Sequence, residues 1–383
     1  MNVLVVPMFA LSRMGGPWSR AQAIAAAFER AGHRAVLGWA ADGNCANPCV
    51  SEICQLPVPS PLGLPMALAS RTFPIAEKLG ISGRKPVRSF EEVLWLTGAL
   101  GYDYLRDSIN VISDIIVSQQ IDVIYSEFNL PAIVAAHALG IPAFGSFSFT
   151  TQTSYANAPA KAEGLRKLLH ELGFPRVGSS LELFDWLERR FVPSCHELEP
   201  IEDGLTEFVG FLREPPRLGS DDQRDCVAVY LGAGSVSQRR IEHVVTCALA
   251  DFGGDVYVAG CKNEHQVGNV RFAPRFDFSQ ILPRAQCFVH HGGQNSTADA
   301  LAYGAPQVIV PGHVFERIYN AQSIEHIGAG VRLDSFDSST LSDACKRVAH
   351  DPAFANATLV IRQTLTSLGG AERIVSAIES ATR

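Results

Sequence analysis

Short, continuously apolar segments alternate with helical patterns along almost the whole sequence. The first segment, Val3–Pro7, is apolar and β-branched, and a pattern with apolar residues on one helical face follows from Ser19 to Ala31. Strands that are apolar throughout are typical of parallel sheets covered by helices on both faces, so the sequence predicts an α/β fold. The later strand-like segments are Ala35–Trp39, Asp122–Ser126, Pro142–Gly145, Val227–Leu231, Val256–Gly260, Cys287–His290 and Gln307–Pro311.

The order of strand, glycine-rich turn and helix occurs twice. It opens the chain, and it starts again at Val227–Leu231, which leads through LGAGS into a helix from about Arg239. The stretch LREPPRLGSDDQRD lies before the second start, and its prolines, glycine and charges favour a flexible connection. We predict a Rossmann-like domain over residues 1–211, a linker over residues 212–225 and a second Rossmann-like domain over residues 226–383. The two domains would face each other across a cleft, and the last helix could pack back on the first domain.

The composition provides for real hydrophobic cores and excludes several classes of function. Hydrophobic residues make up 47% of the 383 residues, and the net charge of −7 argues against nucleic-acid binding, which needs a basic face. The apolar segments are shorter than the roughly 18–20 residues that span a bilayer. The N-terminus has the pattern of a first strand and not of a signal peptide. Nine scattered cysteines, an odd number, favour free thiols, and we expect a cytoplasmic protein.

The strongest functional pattern lies between Cys287 and Gly330. A buried strand ends in His290-His291-Gly292-Gly293, and Gln294-Asn295-Ser296-Thr297 then starts an alanine-rich helix. Two glycines let a ligand approach the backbone, and the N–H groups at a helix start attract anions. A second strand leads into a polar loop with His313, Glu316 and Arg317. The sequence therefore predicts an anion-binding site at this turn.

This region resembles a known family. The stretch FVHHGGQNSTADALAYGAPQVIVPGHVFERIYNAQSIEHIGAG is similar to the donor-binding signature of inverting GT-B glycosyltransferases, in particular the UDP-glycosyltransferase and macrolide glycosyltransferase group (GT1-like). The resemblance is strong in the C-terminal half and follows the N-terminal half only in outline. It implies a GT-B fold and the transfer of a sugar from a nucleoside diphosphate sugar.

The resemblance also implies roles for individual residues of the C-terminal half. His291 and the turn that follows it would bind the donor diphosphate, together with Ser235 in a second turn; the matching positions of the first turn are Gly292, Gly293, Asn295, Ser296 and Thr297. Phe276 or Phe278 lies where relatives bind the nucleotide base, but the local sequence differs and leaves the base open between UDP and dTDP donors. His313, Glu316 and Arg317 would read the sugar. Many relatives have Gln where Arg317 stands, and this guanidinium could bind a carboxylated sugar, a phosphate or Glu316.

The first loop departs from the family. Relatives place a catalytic histidine sixteen residues before the position of His33, where this chain has Pro17, and residues 1–32 contain no histidine. Glu127 falls near the position of the family's histidine-orienting Asp, and burial could raise its pKa into the range of a general base. Three alternatives stay open: an acceptor that needs little deprotonation, a loop residue that takes over positioning, and a site that no longer catalyses. The N-terminal residues expected near the acceptor are Ser12, Arg13, Gly15, Gly16 and Trp18.

The resemblance favours an inverting, metal-independent hexosyl- or deoxyhexosyltransferase that acts on a natural-product-like small molecule. The diphosphate would be stabilised by the helix start and by His291, with no cofactor and no metal. The expected partners are the nucleotide sugar and the acceptor, with a homodimer possible. The alternatives are a transferase for a lipid-linked or cell-envelope acceptor, a non-catalytic binding homologue and a nucleotide-sugar epimerase.

Overall fold

The computed structural model describes two compact units, each built around one seven-stranded sheet. The first unit runs to Arg213 and takes up the chain again from Leu368, whereas the second extends from Glu214 to Ser367 and also includes Val87. The residues described are 1–11, 15–41, 45, 47–64, 68–69, 86–156, 158–218, 224–232 and 236–383.

The sheet of the first unit is parallel throughout, in the order β3-β2-β1-β4-β5-β6-β7. Val3 in the central strand lies opposite Ala35 on one side and Val123 on the other. Both faces of the central strands are covered, which explains their uninterrupted apolar sequence. The strands are β1 (Asn2–Pro7), β2 (Arg34–Trp39), β3 (Glu52–Gln55), β4 (Val123–Glu127), β5 (Ala143–Ser146), β6 (Arg189–Val192) and β7 (Thr206–Phe208).

The helices of the first unit cover both faces of this sheet and include the last helix of the chain. Ile374 and Ile378 of that helix share a core with Trp18 and Phe28, and Arg30 pairs with Glu372 at 2.6 Å. The helices are α1 (Gly15–Arg30), α2 (Phe90–Thr97), α3 (Tyr102–Ser118), α4 (Leu130–Leu139), α5 (Glu163–Glu171) and, at the end of the chain, α12 (Gly370–Ala381). Short 3-10 segments connect several of them.

The first helix begins earlier than the sequence predicts. We expected Gly15 and Gly16 in a loop and the helix from Ser19, but both glycines belong to the first turn of α1. Pro17 is tolerated there because the N–H groups of the first turn have no partner within the helix.

The second unit repeats the architecture, with strand order β10-β11-β9-β8-β12-β13-β14. Of the pairings between the described strands of this sheet, the one between β10 and β11 is antiparallel and the others are parallel. The strands are β8 (Cys226–Tyr230), β9 (Asp255–Ala259), β10 (His265–Val267), β11 (Val270–Ala273), β12 (Ala285–His290), β13 (Gln307–Ile309) and β14 (Gly330–Arg332). The helices are α6 (Gln238–Leu249), α7 (Phe278–Ile281), α8 (Gln294–Ala302), α9 (Phe315–His326), α10 (Ser338–His350) and α11 (Pro352–Ser367).

The predicted α/β class and the two Rossmann-like parallel sheets are confirmed. Within the described ranges no helix is long and apolar enough to cross a bilayer.

Candidate functional site

The glycine turn after β12 requires both of its glycines. Gly292 has φ +81°, and a Cβ there would lie 2.9 Å from the Arg317 carbonyl oxygen and 2.9 Å from the Ile309 Cγ2. A Cβ on Gly293 would lie 2.7 Å from Nε2 of His291. The turn is therefore packed so closely between β13, α9 and the His291 ring that no larger residue fits without a shift.

His290 stabilises this turn through a hydrogen bond to its backbone. Its ring is completely buried, Nδ1 accepts the Gly292 N–H at 3.0 Å, and Nε2 lies 2.9 Å from Oε1 of Gln307. Because Nδ1 accepts, Nε2 carries the proton and donates to Gln307. Burial lowers the pKa of His290 to about 4, so the ring is neutral at pH 7.

His291 lies on the other side of the turn and is also neutral. Its Nδ1 is 3.4 Å from the carbonyl oxygen of Tyr230, which can only accept, so Nδ1 carries the proton. Burial, together with smaller effects of the Arg317 charge and the neighbouring His290, lowers the pKa of His291 to about 3. Nε2 of His291 is consequently a hydrogen-bond acceptor at neutral pH.

The start of α8 leaves polar groups unpaired. The residue that precedes the helix, Gly293, has no side chain with which to cap it. Oγ1 of Thr297 and Nε2 of Gln294 are buried and make no hydrogen bond to any residue that the structure describes. Ser296 is buried beside them. Uncapped N–H groups together with unpaired side-chain donors are what an anionic oxygen requires.

The first turn of α9 packs against the same turn. Nδ2 of Asn320 donates to the Gly292 carbonyl oxygen at 2.8 Å, which fixes the helix to the turn. Arg317 is half-buried, and Glu316 is its neighbour in the first turn of α9. His313 is exposed, and its carbonyl oxygen accepts from the Val87 N–H at 3.0 Å. The structure thus brings Arg317 to the glycine turn.

Aromatic side chains extend from His291 along one side of the sheet. The Tyr230 ring lies 5.6 Å from the His291 ring and 6.3 Å from Phe278, centroid to centroid. Phe276 packs instead against Tyr257 at 5.4 Å. Of the two phenylalanines predicted to meet the nucleotide base, Phe278 is therefore the one that adjoins the turn through Tyr230. Ser235, predicted for the second turn, lies outside the described residues.

Glu127 in the first unit is held by partners on both carboxylate oxygens. Its side chain is completely buried, Oε1 accepts from Nε of Arg20 at 2.5 Å, and Oε2 accepts from the Ser146 hydroxyl. The hydroxyls of Ser146 and Tyr125 are 2.9 Å apart. Burial raises the pKa of Glu127, while the Arg20 charge acts in the opposite direction. A buried carboxylate with these partners resembles a structural ion pair, and this geometry does not favour it as a proton acceptor.

The other predicted N-terminal residues are not gathered around a site in the described part of the chain. Trp18 is buried in the core between β1, α1 and α12, and Gly15 is exposed at the start of α1. Ser12 and Arg13 lie outside the described residues. The predicted acceptor role of this loop stays a prediction.

Sequence reasoning missed several residues of the sites, among them Tyr230, Gln294 and Arg20. Tyr230 ends β8 directly before a glycine turn, a position that could have drawn attention to it. Gln294 stands at the first position of α8. Arg20 is separated from Glu127 by 107 residues, and no local pattern links them.

No group of three or more His, Cys, Asp or Glu side chains that could hold a metal occurs among the residues described. The expected independence of metals stays a prediction.

The C-terminal half of the chain matches a known family model. The family model of the erythromycin biosynthesis protein CIII-like C-terminal domain matches residues 248–380. The chain is 31% identical over 192 residues to the aclacinomycin-T 2-deoxy-L-fucose transferase of Streptomyces galilaeus. This alignment covers 47% of this chain and 42% of that protein. It is 24% identical over 285 residues to the erythronolide mycarosyltransferase of Saccharopolyspora erythraea, covering 68% of each. The first of these alignments thus spans less than half of the relative's length.

Solved structures resemble the whole chain. The glycotransferase of kitacinnamycin has a TM-score of 0.74 at 18% identity and covers 99% of this chain and 98% of its own. The spinosyn rhamnosyltransferase has a TM-score of 0.73 at 15% identity, covering 99% and 100%. These likenesses confirm the GT-B fold. The sequence matches confirm the resemblance to GT1-like glycosyltransferases.

Proposed function

We propose that this chain, a relative of the GT1-like glycosyltransferases, transfers a sugar from a nucleoside diphosphate sugar to a small-molecule, natural-product-like acceptor. The aligned relatives carry the names of transferases for deoxysugars, which favours a deoxyhexose. The second unit would bind the donor and the first unit the acceptor. Inversion at the anomeric carbon and independence of metals are part of the proposal.

The start of α8 carries this proposal. Leaving a buried donor unpaired costs about 1–3 kcal/mol, so a cluster of such groups needs an explanation, and a bound ligand that accepts from them provides one. Thr297 Oγ1 and Gln294 Nε2 are two such groups, three residues apart, at an uncapped helix start beside two glycines. Nε2 of Gln307, a third buried group without a partner among the described residues, lies behind the same turn. The arrangement fits a diphosphate better than a neutral ligand.

The same groups would act in the reaction. The acceptor oxygen or nitrogen attacks the anomeric carbon from the face opposite the diphosphate, the bond from that carbon to the diphosphate oxygen breaks, and negative charge grows on the leaving diphosphate. Donors that are already oriented stabilise this charge without reorganisation, an effect of about 10²–10³ in rate for each one removed. The helix start would supply these donors where other enzymes use a metal ion.

The acceptor proton would pass to water or to an oxygen of the departing diphosphate. Glu127 is engaged by Arg20 and Ser146, so an acceptor that needs little deprotonation fits the structure best. The same observation favours a second candidate, a homologue that binds the nucleotide sugar without transferring it. Mass spectrometry of acceptor mixtures incubated with the nucleotide sugar distinguishes the two candidates, because only a transferase produces a glycosylated acceptor. The same assay with and without EDTA tests the independence of metals.

Binding at the α8 start is tested by Thr297→Val. This variant removes a hydroxyl that has no described partner, so the melting temperature of the unliganded protein should stay or rise. Stabilisation by the best of UDP, dTDP and GDP should fall, because the diphosphate loses a donor. A ligand at about 100 times its Kd stabilises by about 2.7 kcal/mol, which is readily measured.

Thr358→Val is the matched control. Thr358 is buried in α11 and its hydroxyl donates to the Phe354 carbonyl oxygen at 2.7 Å. The loss of this hydrogen bond should lower the free energy of unfolding by about 1 kcal/mol, and the melting temperature should fall with it. Stabilisation by the nucleotide should stay unchanged. If none of the three nucleotides stabilises the wild type, the proposed donor site is refuted.

A further inference from the structure

The donor turn contains a histidine whose proton is on the wrong nitrogen for binding an anion. Nδ1 of His291 faces the Tyr230 carbonyl oxygen and must donate to it, so Nε2 presents a lone pair. A lone pair repels a phosphate oxygen, which is itself only an acceptor. His291 becomes a donor through Nε2 either as the other neutral tautomer, which gives up the hydrogen bond to the Tyr230 carbonyl oxygen, or by taking up a second proton; only the second route gives the ring a positive charge.

The surroundings of His291 oppose that second proton. The ring is largely removed from solvent, and the groups that act on it are Arg317 from α9, the neighbouring His290 and the Tyr230 carbonyl of β8. The first two disfavour the charged ring, and a single carbonyl contact at 3.4 Å is weak compensation. At pH 7 the unliganded turn therefore gains no charge from His291.

Arg317 brings a permanent positive charge to the same place. Its backbone packs on the glycine turn, since a Cβ on Gly292 would meet the Arg317 carbonyl oxygen at 2.9 Å and its Cα at 3.5 Å. The Asn320 amide fastens this part of α9 to the Gly292 carbonyl oxygen. The guanidinium charge acts on both the His291 and the Tyr230 side chains, which are themselves in ring contact. A guanidinium stays charged even when it is partly buried, and it can bind two phosphate oxygens at once.

We infer that Arg317, and not His291, supplies the positive charge that binds the diphosphate of the donor. This inference rests on the proposed function, because it assigns a role within the proposed donor site. Arg317 stands where many relatives have a glutamine in the sugar-binding loop. With this inference its role is to bind the leaving diphosphate. Neutral His291 then shapes the turn by filling the space beside Gly232 and Gly293.

The test compares Arg317→Gln with Arg332→Gln. Both variants remove one positive charge from the second unit, but Arg332 lies on β14 in an ion pair with Asp334 at 2.9 Å. Calorimetry measures Kd for whichever of UDP, dTDP and GDP binds the wild type, and for the corresponding monophosphate. We expect Arg317→Gln to weaken the diphosphate at least 10-fold and the monophosphate less, and Arg332→Gln to change neither more than 2-fold.

The pH dependence of the wild-type Kd for the nucleotide distinguishes binding by the Arg317 cation from binding by a protonated His291. Between pH 7 and 9 the nucleotide phosphates are already ionised, so a binding cation that is arginine gives a constant Kd, whereas a protonated histidine gives a Kd that rises steadily. Arg317→Lys retains a charge and should bind better than Arg317→Gln.

Equal binding by the wild type and Arg317→Gln would overturn the inference, as would a Kd that rises through pH 7–9. Equal losses in the Lys and Gln variants would also overturn it. If Arg317→Gln does not fold, the pH profile of the wild type and Arg317→Lys decide. Failure of all three nucleotides to bind the wild type is a different result, and it refutes the proposed function itself.

Discussion

Replacing His290 by Asn should make the stability of the second unit less sensitive to acid. The buried His290 ring has a pKa of about 4, whereas a histidine in the unfolded chain has a pKa near 6.5. The unfolded state therefore binds more protons, so the contribution of this residue to stability is complete above about pH 6.5 and is lost as the pH falls towards 4. Protonation would also turn Nδ1 into a second donor facing the Gly292 N–H, and the hydrogen bond that shapes the turn would be lost.

The magnitude follows from these two pKa values. At pH 5 the unfolded state is favoured by protonation of this one residue by a factor of roughly 30, which is about 2 kcal/mol at 25 °C. Asn does not titrate, and its side-chain oxygen can accept the Gly292 N–H as Nδ1 does. The variant loses the hydrogen bond to Gln307 at every pH, so its absolute stability at pH 7.5 should be lower. Its further loss between pH 7.5 and pH 5 should be smaller than that of the wild type by about 2 kcal/mol.

Hydrogen exchange of peptides from the second unit, followed at rising urea, is the suitable assay. All four tryptophans belong to the first unit, so their fluorescence does not report on the second. His291 is present in both proteins, and its contribution cancels in the comparison. The reasoning fails if the wild type and His290→Asn lose the same free energy between pH 7.5 and pH 5, since His290 would then be charged or accessible in the folded state.

Three further predictions concern the turn, the ion pair and the aromatic side chains. Gly292→Ala should destabilise the second unit by about 1–3 kcal/mol, as hydrogen exchange can measure, and abolish nucleotide binding. The control is Gly328→Ala, which is also at positive φ but has only one atom within 4 Å of its Cβ. It should lower the free energy of unfolding less and leave nucleotide binding intact. Glu127→Gln should destabilise the first unit by about 3 kcal/mol in tryptophan-monitored unfolding, because the Arg20 guanidinium loses the charged carboxylate it contacts. Unchanged stability with lost transfer would instead make Glu127 catalytic. Phe278→Leu should weaken nucleoside diphosphates severalfold and inorganic pyrophosphate not at all, as calorimetry can show, if Phe278 meets the base. Equal losses for both ligands would contradict that role.

Local patterns account for what the sequence could predict. The buried segments Val3–Pro7 and Cys287–Val289 are apolar throughout, so their place in a parallel sheet could be predicted from composition alone. The edge strands, such as Glu52–Gln55 and His265–Val267, are short and exposed, and they carry no comparable pattern. The glycine turn was predictable because both glycines and the helix that follows are contiguous.

Contacts between distant parts of the chain could not be predicted in this way. The ion pair of Arg20 with Glu127 depends on the parallel register of β1 and β4, which places Pro7 opposite Glu127. The proton position on His291 depends on a carbonyl 61 residues away. The resemblance to a family supplies a role for His291, whereas only the hydrogen bonds show which of its nitrogens is protonated.

The start of α8 and the Glu127 side chain differ in how their buried polar groups are paired, and this contrast bears on what each can do. At the start of α8 the Thr297 hydroxyl is buried without a described partner. Its desolvation therefore destabilises the unliganded protein, because no hydrogen bond offsets it. Glu127, in contrast, is buried with a partner for each oxygen, and an added ligand would have to displace one of them. A site that binds an anion needs the first arrangement, because its donors must be vacant until the ligand arrives. The unpaired groups at the start of α8 therefore indicate a prepared ligand site, and the fully paired carboxylate of Glu127 indicates a structural role.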